Sequence, residues 1–320
     1  MRKTTNGYVP DPTYMEKLLA KLPELKNADM PHYTIQGYEK PIDSANMSPA
    51  DWYQIAEHIK KNYAHHDGFV ILHGTDSMSY TAAALSFMLE NLTKPVILTG
   101  SQLPLFETRN DARENLINAI LIAGNYSIPE VCVYFNNKLF RGNRSTKIDA
   151  HSFAAFASPN FPTLGKIGTK IHIRKDLLTK KTAAELLVQA INPMMISTFR
   201  IFPGVSPDLL KHILKPPLQA LVLESYGVGN APSEAAFLEI IRAASANGII
   251  IVNCSQCEYG KVQMQEYATG SALFKAGVIS GSDMTIEAVI AKLFYLFSKK
   301  LSLAEIKAKM VIDLRGELTV

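Results

Sequence analysis

Residues 68–102, GFVILHGTDSMSYTAAALSFMLENLTKPVILTGSQ, carry the strongest structural pattern in the chain. Phe69 to Leu72 and Val96 to Leu98 are short apolar runs that both end in small polar residues. Between them, apolar side chains recur at the three- and four-residue spacing of one helix face: Tyr80, Ala83, Ala84, Phe87 and Met88. The stretch predicts a strand, a crossover helix and a second, parallel strand, in a sheet covered by helices on both faces.

Polar residues follow both predicted strands. His73-Gly74-Thr75-Asp76 comes after the first strand, and Thr99-Gly100-Ser101 after the second. Parallel sheets bind ligands beyond the carboxyl ends of their strands, so we expect a site at these two turns. Thr75 and Asp76 also have an ordinary explanation, because a turn from strand to helix favours residues that cap the helix.

Composition narrows the class of protein. Of 320 residues, 47% are hydrophobic and 19% charged, which is typical of a globular protein with a large core. The 33 basic and 29 acidic side chains leave a net charge of +4 that is spread along the chain, which gives little support for a nucleic-acid partner. No apolar run is long enough to cross a membrane, and the first twelve residues lack the hydrophobic core of a signal peptide, so a cytoplasmic location is expected.

Cofactor motifs are sparse. Cys254-Ser-Gln-Cys257 has the spacing of a redox or zinc pair, but no second pair completes a metal cage, so we interpret both as buried thiols. The sequence has neither of the two common glycine-rich nucleotide-binding motifs. We therefore expect no metal and no cofactor.

Two α/β domains are predicted. The first, residues 1–175, is a larger, doubly wound and mostly parallel sheet domain, with residues 33–38 as an early strand and residues 136–147 as a polar turn segment. The pattern loosens after residue 158, and we assign residues 176–195 to a linker. Alternating strands and helices resume in the second, smaller domain, residues 196–320.

Hydroxyl, amine and carboxylate groups gather in the turns of the first domain. Thr75, Thr99 and Ser101 supply hydroxyls, Asp76 a carboxylate and Lys147 an amine. A lysine amine that is shielded from water and held by a carboxylate can accept a proton from a hydroxyl. The hydroxyl would then serve as a nucleophile or as part of a proton relay; the competing interpretation of the lysine segment is an anion site or a solvated loop.

Five motifs together resemble the bacterial cytosolic, type I L-asparaginases: DSANM at 43–47, HGTDSM at 73–78, TGSQLP at 99–104, RGNRSTK at 141–147 and SYGVGNAP at 225–232. The similarity runs from residue 1 almost to Leu318. It implies two α/β domains, assembly into dimers and usually tetramers, and hydrolysis of L-asparagine to L-aspartate and ammonia without a cofactor.

The resemblance also implies roles for single residues. Thr75, Asp76 and Lys147 match the family's Thr-Asp-Lys triad, and Asp76 matches the group that holds the substrate's α-amino group. Ser44 matches the residue that binds the α-carboxylate, and Tyr8 the tyrosine of the lid that closes over the substrate.

Further matches concern the pocket floor and regulation. Thr99 and Gly100 would shape the floor near the substrate's side-chain amide, where a backbone N–H could stabilise an oxyanion. Asn230 resembles a polar residue near a second, regulatory asparagine site found in some cytosolic members. Glu224 stands where some relatives have an arginine, which argues against allosteric binding of asparagine.

The amino-terminal sequence departs from the family pattern. The family opens with a buried strand and a Thr-Gly-Gly-Thr-Ile-Gly turn whose first threonine is the usual nucleophile, whereas here only seven residues precede Tyr8. Either Met1 is an internal methionine of a longer natural protein or the gene encodes a shortened form. The first account is favoured because the triad, Tyr8 and Ser44 are all retained. We expect poor stability and little or no turnover from the 320-residue polypeptide itself.

Two other functions compete with hydrolysis. A non-catalytic protein could sense asparagine or aspartate through Ser44 and Asp76. Relatives of this fold also act as amidotransferase subunits that pass ammonia to a partner in glutamine-dependent tRNA amidation. The lack of an extra amino-terminal domain and of a concentrated basic face in this sequence argues against the amidotransferase.

Overall fold

The computed structural model describes residues 2–5, 7–9, 11, 17 and 19–320. Its contacts separate the chain into two units, one of Met1–Ser158 with Pro162–Val188 and the other of Pro159–Phe161 with Gln189–Val320. Of the linker that we propose, residues 176–188 fall in the first unit and residues 189–195 in the second.

The first unit mixes helices and short strands. In chain order it contains β1 (Arg2–Thr4), β2 (Gly7–Val9), α1 (Pro49–Asn62), β3 (Phe69–Leu72), α2 (Met78–Met88), β4 (Leu89–Glu90), β5 (Val96–Thr99), α3 (Ala112–Asn125), β6 (Val131–Phe135), β7 (Lys138–Arg141), β8 (Thr146–Lys147), β9 (Phe156–Ala157), β10 (Gly165–Ile167), β11 (Ile171–Ile173) and β12 (Leu187–Val188).

Six of these strands form the main sheet, in the order β11-β10-β7-β6-β5-β3. Strands β3, β5 and β6 are parallel, with Phe69 beside Val96 and Val96 beside Val131. The predicted strand, crossover helix and parallel strand are therefore confirmed. Beyond β6 the sheet continues through antiparallel pairings with β7, β10 and β11.

The antiparallel half of this sheet was not predicted. Residues 136–147, expected to be a turn, contain β7, which returns along β6 after a tight turn at Asn136 and Asn137. Both asparagines have positive φ angles, 46° and 60°, which suits them to a hairpin turn. The strand expected at residues 33–38 is wrong: the segment has no regular structure, and residues 32–37 are exposed.

Burial differs from the simple pattern in two elements. Helix α2 was predicted to bury one stripe, but all of its residues except Tyr80 and Ser86 are buried. It packs against both α1 and the sheet, so two opposite faces are covered. Strand β3 was predicted to be fully covered, yet it is partly exposed and Leu72 is 44% exposed. Among the described strands, β3 pairs with β5 alone, which places it at an edge of the sheet.

The second unit is a smaller α/β layer structure. It contains β13 (Ile196–Arg200), α4 (Pro207–Ile213), β14 (Ala220–Ser225), α5 (Ala235–Ala246), β15 (Ile250–Ser255), α6 (Ala268–Lys275), β16 (Ile279–Ser280), α7 (Ile286–Phe297) and α8 (Leu303–Met310). Its four-stranded sheet, β13-β14-β15-β16, is parallel throughout. The predicted α/β class, with a larger amino-terminal and a smaller carboxy-terminal domain, is confirmed.

The cysteine prediction is partly wrong. Cys254 is buried in β15, but Cys257 is exposed because it lies in the turn that follows this strand. Burial raises the pKa of the Cys254 thiol well above its ordinary value. Within the described part of the chain, no helix combines the length and the apolar character needed to span a bilayer.

Candidate active site

The turn after β3 and strand β8 bring three of the predicted site residues together. The Lys147 ammonium donates hydrogen bonds to the Thr75 hydroxyl, at 2.8 Å, and to a carboxylate oxygen of Asp76, at 2.9 Å. Lysine and threonine are 72 positions apart in sequence. The Lys147 side chain is 21% exposed and that of Asp76 66%, so the carboxylate can reach a ligand from solvent.

Two glycines allow the turns at the strand ends to approach closely. A Cβ atom on Gly100 would overlap the backbone carbonyl oxygen of His73. One on Gly74 would overlap the hydroxyl oxygen of Ser44. Because neither position has room for a side chain, the two turns pack backbone against backbone, and the turn at Gly74 packs directly against the Ser44 side chain.

Ser44 lies against the turn that carries Thr75 and Asp76. It is buried and begins a short 3-10 turn, Ser44–Asn46. The Ser77 hydroxyl donates a hydrogen bond of 2.5 Å to the Ser44 carbonyl oxygen. The residue predicted to bind the α-carboxylate is therefore held next to the residues predicted to bind the α-amino group and to transfer the proton.

Thr99 and Gly100 form part of the support beneath these turns. Thr99 is fully buried, and its hydroxyl donates to the Tyr134 carbonyl oxygen at 2.8 Å, so this group is used within the sheet. The Gly100 carbonyl accepts a hydrogen bond from the Asn115 side chain at 3.0 Å. Thr99 thus contributes to packing within the sheet, while Gly100 lets the backbone of its turn approach that of His73.

Tyr8, Asn230 and Glu224 are the remaining predicted residues. Tyr8 is in β2, and its side chain falls outside the described part of the structure. Asn230 belongs to the second unit, where its side-chain oxygen accepts a hydrogen bond of 2.7 Å from the Thr269 hydroxyl. Glu224, at the end of β14, lies 3.8 Å from the Arg200 guanidinium. The lid and regulatory roles stay predictions.

His73 connects the turn that carries Thr75 to the core through a directed chain of hydrogen bonds. The Trp52 indole N–H can only donate, and it donates to the Thr81 hydroxyl at 3.1 Å. The Thr81 hydrogen then points at His73 Nε2, 2.9 Å away, and His73 Nδ1–H donates to the Gly74 carbonyl at 2.7 Å. This chain selects the neutral ring that carries its proton on Nδ1.

Acid should destabilise the fold through His73. Burial lowers the pKa of His73 below its ordinary value of 6.5, an effect that the hydrogen bond to Gly74 only partly opposes. The unfolded chain takes up this proton near pH 6.5 while the folded protein does not, so protons favour unfolding below that pH. We expect His73 to lower the free energy of unfolding by up to about 1.4 kcal/mol per pH unit below about pH 6.5.

Urea unfolding of the wild type and of His73→Gln, measured from about pH 7.5 down to about 5.5, checks this contribution. The wild type should lose stability more steeply than the variant as the pH falls. Equal slopes of the free energy of unfolding against pH would contradict the contribution of His73. So would an NMR titration in which the folded His73 ring takes up its proton at or above its ordinary pKa of 6.5.

Gln102 and Asp111 belong to the same site and were not predicted. Gln102 Oε1 accepts a hydrogen bond from the Thr75 hydroxyl at 3.2 Å. The Asp111 carboxylate accepts from the backbone N–H groups of Gln102 and Leu103 at 3.0 to 3.1 Å. In the sequence, Gln102 is indicated only by its place in the motif TGSQLP. A glutamine side chain is neither a nucleophile nor a base, so its residue type does not point to a catalytic site.

The fold and this site together define a class of enzyme. An α/β protein presents a hydroxyl and a carboxylate beyond the carboxyl end of the parallel strand β3, in contact with an amine on the antiparallel strand β8. This is the arrangement of hydrolases that activate a hydroxyl with a neighbouring base. Among the residues that the structure describes, histidine, cysteine, aspartate and glutamate side chains form no group of three that could hold a metal ion.

Comparison with known proteins identifies the family. The family described as "Asparaginase, N-terminal" matches residues 1–179, and "Glutaminase/Asparaginase C-terminal domain" matches residues 195–310. L-asparaginase 1 of Escherichia coli (strain K12) is 52% identical, over all of this chain and 94% of that protein. An L-asparaginase of Thermococcus kodakarensis is 33% identical, over 87% of this chain and 84% of that protein.

A solved structure agrees with the sequence comparisons. The crystal structure of L-asparaginase I from Vibrio cholerae O1 biovar eltor superposes with a TM-score of 0.93 at 48% identity, covering all of this chain and 95% of that one. The chain belongs to the asparaginase family, as the resemblance of its motifs implied.

Proposed function

We propose that this protein hydrolyses the side-chain amide of L-asparagine, giving L-aspartate and ammonia. The observation that carries the proposal is the double contact of the Lys147 ammonium, with the Thr75 hydroxyl and with the Asp76 carboxylate. The proposal is further supported by the 52% identity to a protein named L-asparaginase 1 over the full chain.

Substrate binding would use charges at both ends of the amino acid. The exposed carboxylate of Asp76 suits the α-ammonium group of asparagine, and the Ser44 turn beside it suits the α-carboxylate. With these groups held, the side-chain carboxamide would lie toward Thr75 and Lys147. The lid tyrosine of the family, matched by Tyr8, would then exclude water.

The chemical step would be acyl transfer to a threonine. A threonine oxygen attacks the carboxamide carbon while its proton passes to the neutral amine form of Lys147, and the C–N bond breaks as the resulting ammonium returns that proton to the departing nitrogen. Water then cleaves the ester, releases aspartate and restores the hydroxyl. By resemblance the attacking hydroxyl belongs to the first threonine of the Thr-Gly-Gly-Thr-Ile-Gly turn, and Thr75 relays the proton.

A coupled ammonia assay with L-asparagine and L-glutamine tests this function. It should be run on the 320-residue chain and on a form carrying the family's amino-terminal strand and glycine turn ahead of it. We expect one ammonia per aspartate from asparagine in the form that carries the turn. The variants used for kinetics are made in this form, which serves as their wild type. Calorimetric binding of asparagine with no ammonia from either form would instead favour the non-catalytic binding protein, and ammonia delivered only to a partner would favour the amidotransferase.

Replacing Gly74 with alanine should weaken substrate binding. The new Cβ would displace Ser44, because the two would otherwise overlap. We expect KM for asparagine to rise about tenfold or more while the chain stays folded, since a carboxylate-binding group moved out of place loses its charge-assisted hydrogen bond. Steady-state kinetics check this, with Gly168→Ala as a control because a Cβ there meets no atom within 4 Å. An unchanged KM in Gly74→Ala would argue against the role of Ser44.

Assembly, location and regulation complete the proposal. We propose a homodimer or homotetramer in the cytoplasm, acting without a metal or organic cofactor, in line with the type I resemblance. Light scattering on a size-exclusion column measures the assembly. Asn230 remains the proposed marker of a regulatory site, while Glu224 opposes allosteric binding there; a hyperbolic dependence of rate on asparagine would agree with this.

A further inference from the structure

We propose that Gln102 is a positioning residue that orients the Thr75 hydroxyl against Lys147. Gln102 lies in the loop that follows β5, and its side-chain oxygen is 3.2 Å from Thr75 Oγ1. This inference rests on the proposed function, because the hydroxyl that Gln102 holds is the one that would exchange a proton with Lys147.

The direction of each hydrogen bond around Gln102 follows from its partners. Its side-chain nitrogen lies 3.1 Å from the Ser152 carbonyl and 3.5 Å from the Asp149 carbonyl. Carbonyl oxygens only accept, so the amide nitrogen must face them and the amide oxygen must face Thr75. The opposite orientation of the amide would place oxygen against oxygen, so this orientation alone satisfies the partners.

The direction at Thr75 follows in turn. An ammonium group only donates, so Thr75 Oγ1 accepts a hydrogen from Lys147 and gives its own hydrogen to Gln102. Gln102 thereby selects the rotation of the hydroxyl in which an oxygen lone pair points at the lysine. The Thr75 oxygen is thus held at hydrogen-bond distance, with a lone pair ready to receive a proton from Lys147, before substrate binds; this is the preorganisation that transfer in that direction requires.

Gln102 is itself fixed at its backbone. Its N–H donates to both carboxylate oxygens of Asp111, at 3.1 and 3.0 Å, and the next N–H, of Leu103, also donates to that carboxylate. The side-chain amide of Asn115 donates to the same carboxylate and to the Gly100 carbonyl, two residues before Gln102. The residue is thus anchored at its backbone by Asp111 and at its side chain by the segment that follows Lys147.

Several charged or titratable groups surround this arrangement. Asp76 pairs with Lys147 directly. Asp149 accepts hydrogen bonds from the backbone N–H groups of Ser152 and His151, which lower its pKa and keep it ionised. Asp111 holds the loop from the other side. A carboxylate introduced at position 102 would add negative charge one hydrogen bond away from the Thr75 and Lys147 pair, and none of the existing charges would be replaced.

Two substitutions of Gln102 distinguish a positioning role from a general contribution to stability. Gln102→Met removes the acceptor at similar size, and we expect kcat to fall about tenfold with KM changed less than about twofold. Gln102→Glu keeps an acceptor and adds a negative charge, and we expect the acid limb of the kcat profile to move about one pH unit higher, because Lys147 then holds its proton more tightly. Gln102→Met should leave the pH of that limb unchanged.

Gln189 provides a matched control. Its side-chain nitrogen also donates to two backbone carbonyls, of Ala190 at 2.9 Å and of Ser298 at 3.5 Å. Gln189 belongs to the second unit, and neither carbonyl belongs to a residue of the triad. Gln189→Met should keep kcat and its pH profile within about twofold of the wild type. If Gln189→Met loses activity as Gln102→Met does, loss of an amide bridge alone explains the effect and the positioning role is overturned.

A measurement that does not need turnover tests the positioning role of Gln102 independently of the proposed function. Labelling of Lys147 by an amine-reactive reagent, followed by mass spectrometry across pH, reports the free amine directly. Half-maximal labelling should move to higher pH in Gln102→Glu and stay in place in Gln189→Met. Failure of the form that carries the amino-terminal strand and glycine turn to release ammonia would contradict the proposed function alone. Wild-type labelling and kinetics in both Gln102 variants would overturn the positioning role.

Discussion

Lys147→Met should abolish ammonia release from L-asparagine while leaving the chain folded. Methionine fills similar space but can neither take a proton from a hydroxyl nor return one to the departing nitrogen. General acid–base groups contribute about 10²- to 10⁴-fold to a rate, so we expect kcat to fall by about 10³-fold or to the limit of detection. The pair with Asp76 is partly exposed, and such pairs contribute at most about 1 kcal/mol to stability, so the melting temperature should change by only a few degrees.

Lys138→Met is the control for a lost surface charge, because Lys138 is exposed on β7. It should retain full activity. Undiminished ammonia release by Lys147→Met would refute the relay role of the lysine, whereas a large loss of melting temperature in that variant would show a structural role instead.

Of the substitutions proposed, Lys292→Met should cause the largest loss in the free energy of unfolding. Lys292 in α7 and Glu317 are both fully buried, with 2.5 Å between Nζ and Oε1. The ammonium also donates to the backbone carbonyls of Met310 at 3.0 Å and Ile312 at 2.6 Å. Without Lys292, a carboxylate and two carbonyl groups lose a buried partner. Removing one partner of a buried ion pair costs about 3–5 kcal/mol, so we expect that loss in the free energy of unfolding.

The protonation equilibria of this pair follow from burial and attraction. Burial lowers the pKa of Lys292, although the charge of Glu317 opposes that effect. Burial works to raise the pKa of Glu317, but the charge and hydrogen bond of Lys292 and the N–H of Arg315 outweigh it and leave the pKa lowered. Glu317 therefore stabilises the fold above its ordinary pKa of 4.5, and this contribution disappears as the pH falls through the lower folded value.

Denaturant unfolding of a set of variants measures the effect. Lys292→Met should lower the free energy of unfolding far more than Lys275→Met, which removes an exposed lysine. In the double variant Lys292→Met, Glu317→Met most of the loss should return, because an apolar pair of similar volume needs no charged partner. A loss under about 1 kcal/mol in Lys292→Met would mean that water reaches Glu317 in solution.

The position of Thr75 and Asp76 at the carboxyl edge of the sheet followed from the sequence because parallel strands end at the same edge. Two apolar runs joined by a helix of 11 residues allow little besides parallel neighbours, and the turn that carries Thr75 and Asp76 must then lie at that edge. Lys147 could be placed there only through the family resemblance, since its segment had no periodic pattern. The hairpin that delivers it depends on a two-asparagine turn, within a segment that the sequence left open between an anion site and a solvated loop.

Gln102 and His73 show what the sequence pattern could not supply. Their roles depend on which polar atoms face them: a threonine, two carbonyls and a carboxylate for Gln102, and for His73 a second threonine, which in turn accepts from a tryptophan. The hydrogen-bonded pairs concerned are between 8 and 50 positions apart in sequence. No local spacing encodes them.

By itself, the sequence determined the α/β class, the central strand–helix–strand unit and the residue types at its carboxyl edge, because hydrophobic period and chain connectivity are local properties. Only the tertiary structure decided that β3 lies at an edge among the described strands, that Gln102 faces Thr75, and that Lys292 is buried against Glu317. The physical reason is that burial and hydrogen-bond direction depend on atoms brought together from distant parts of the chain, and the same lysine or glutamine is solvated, buried or catalytic according to those neighbours.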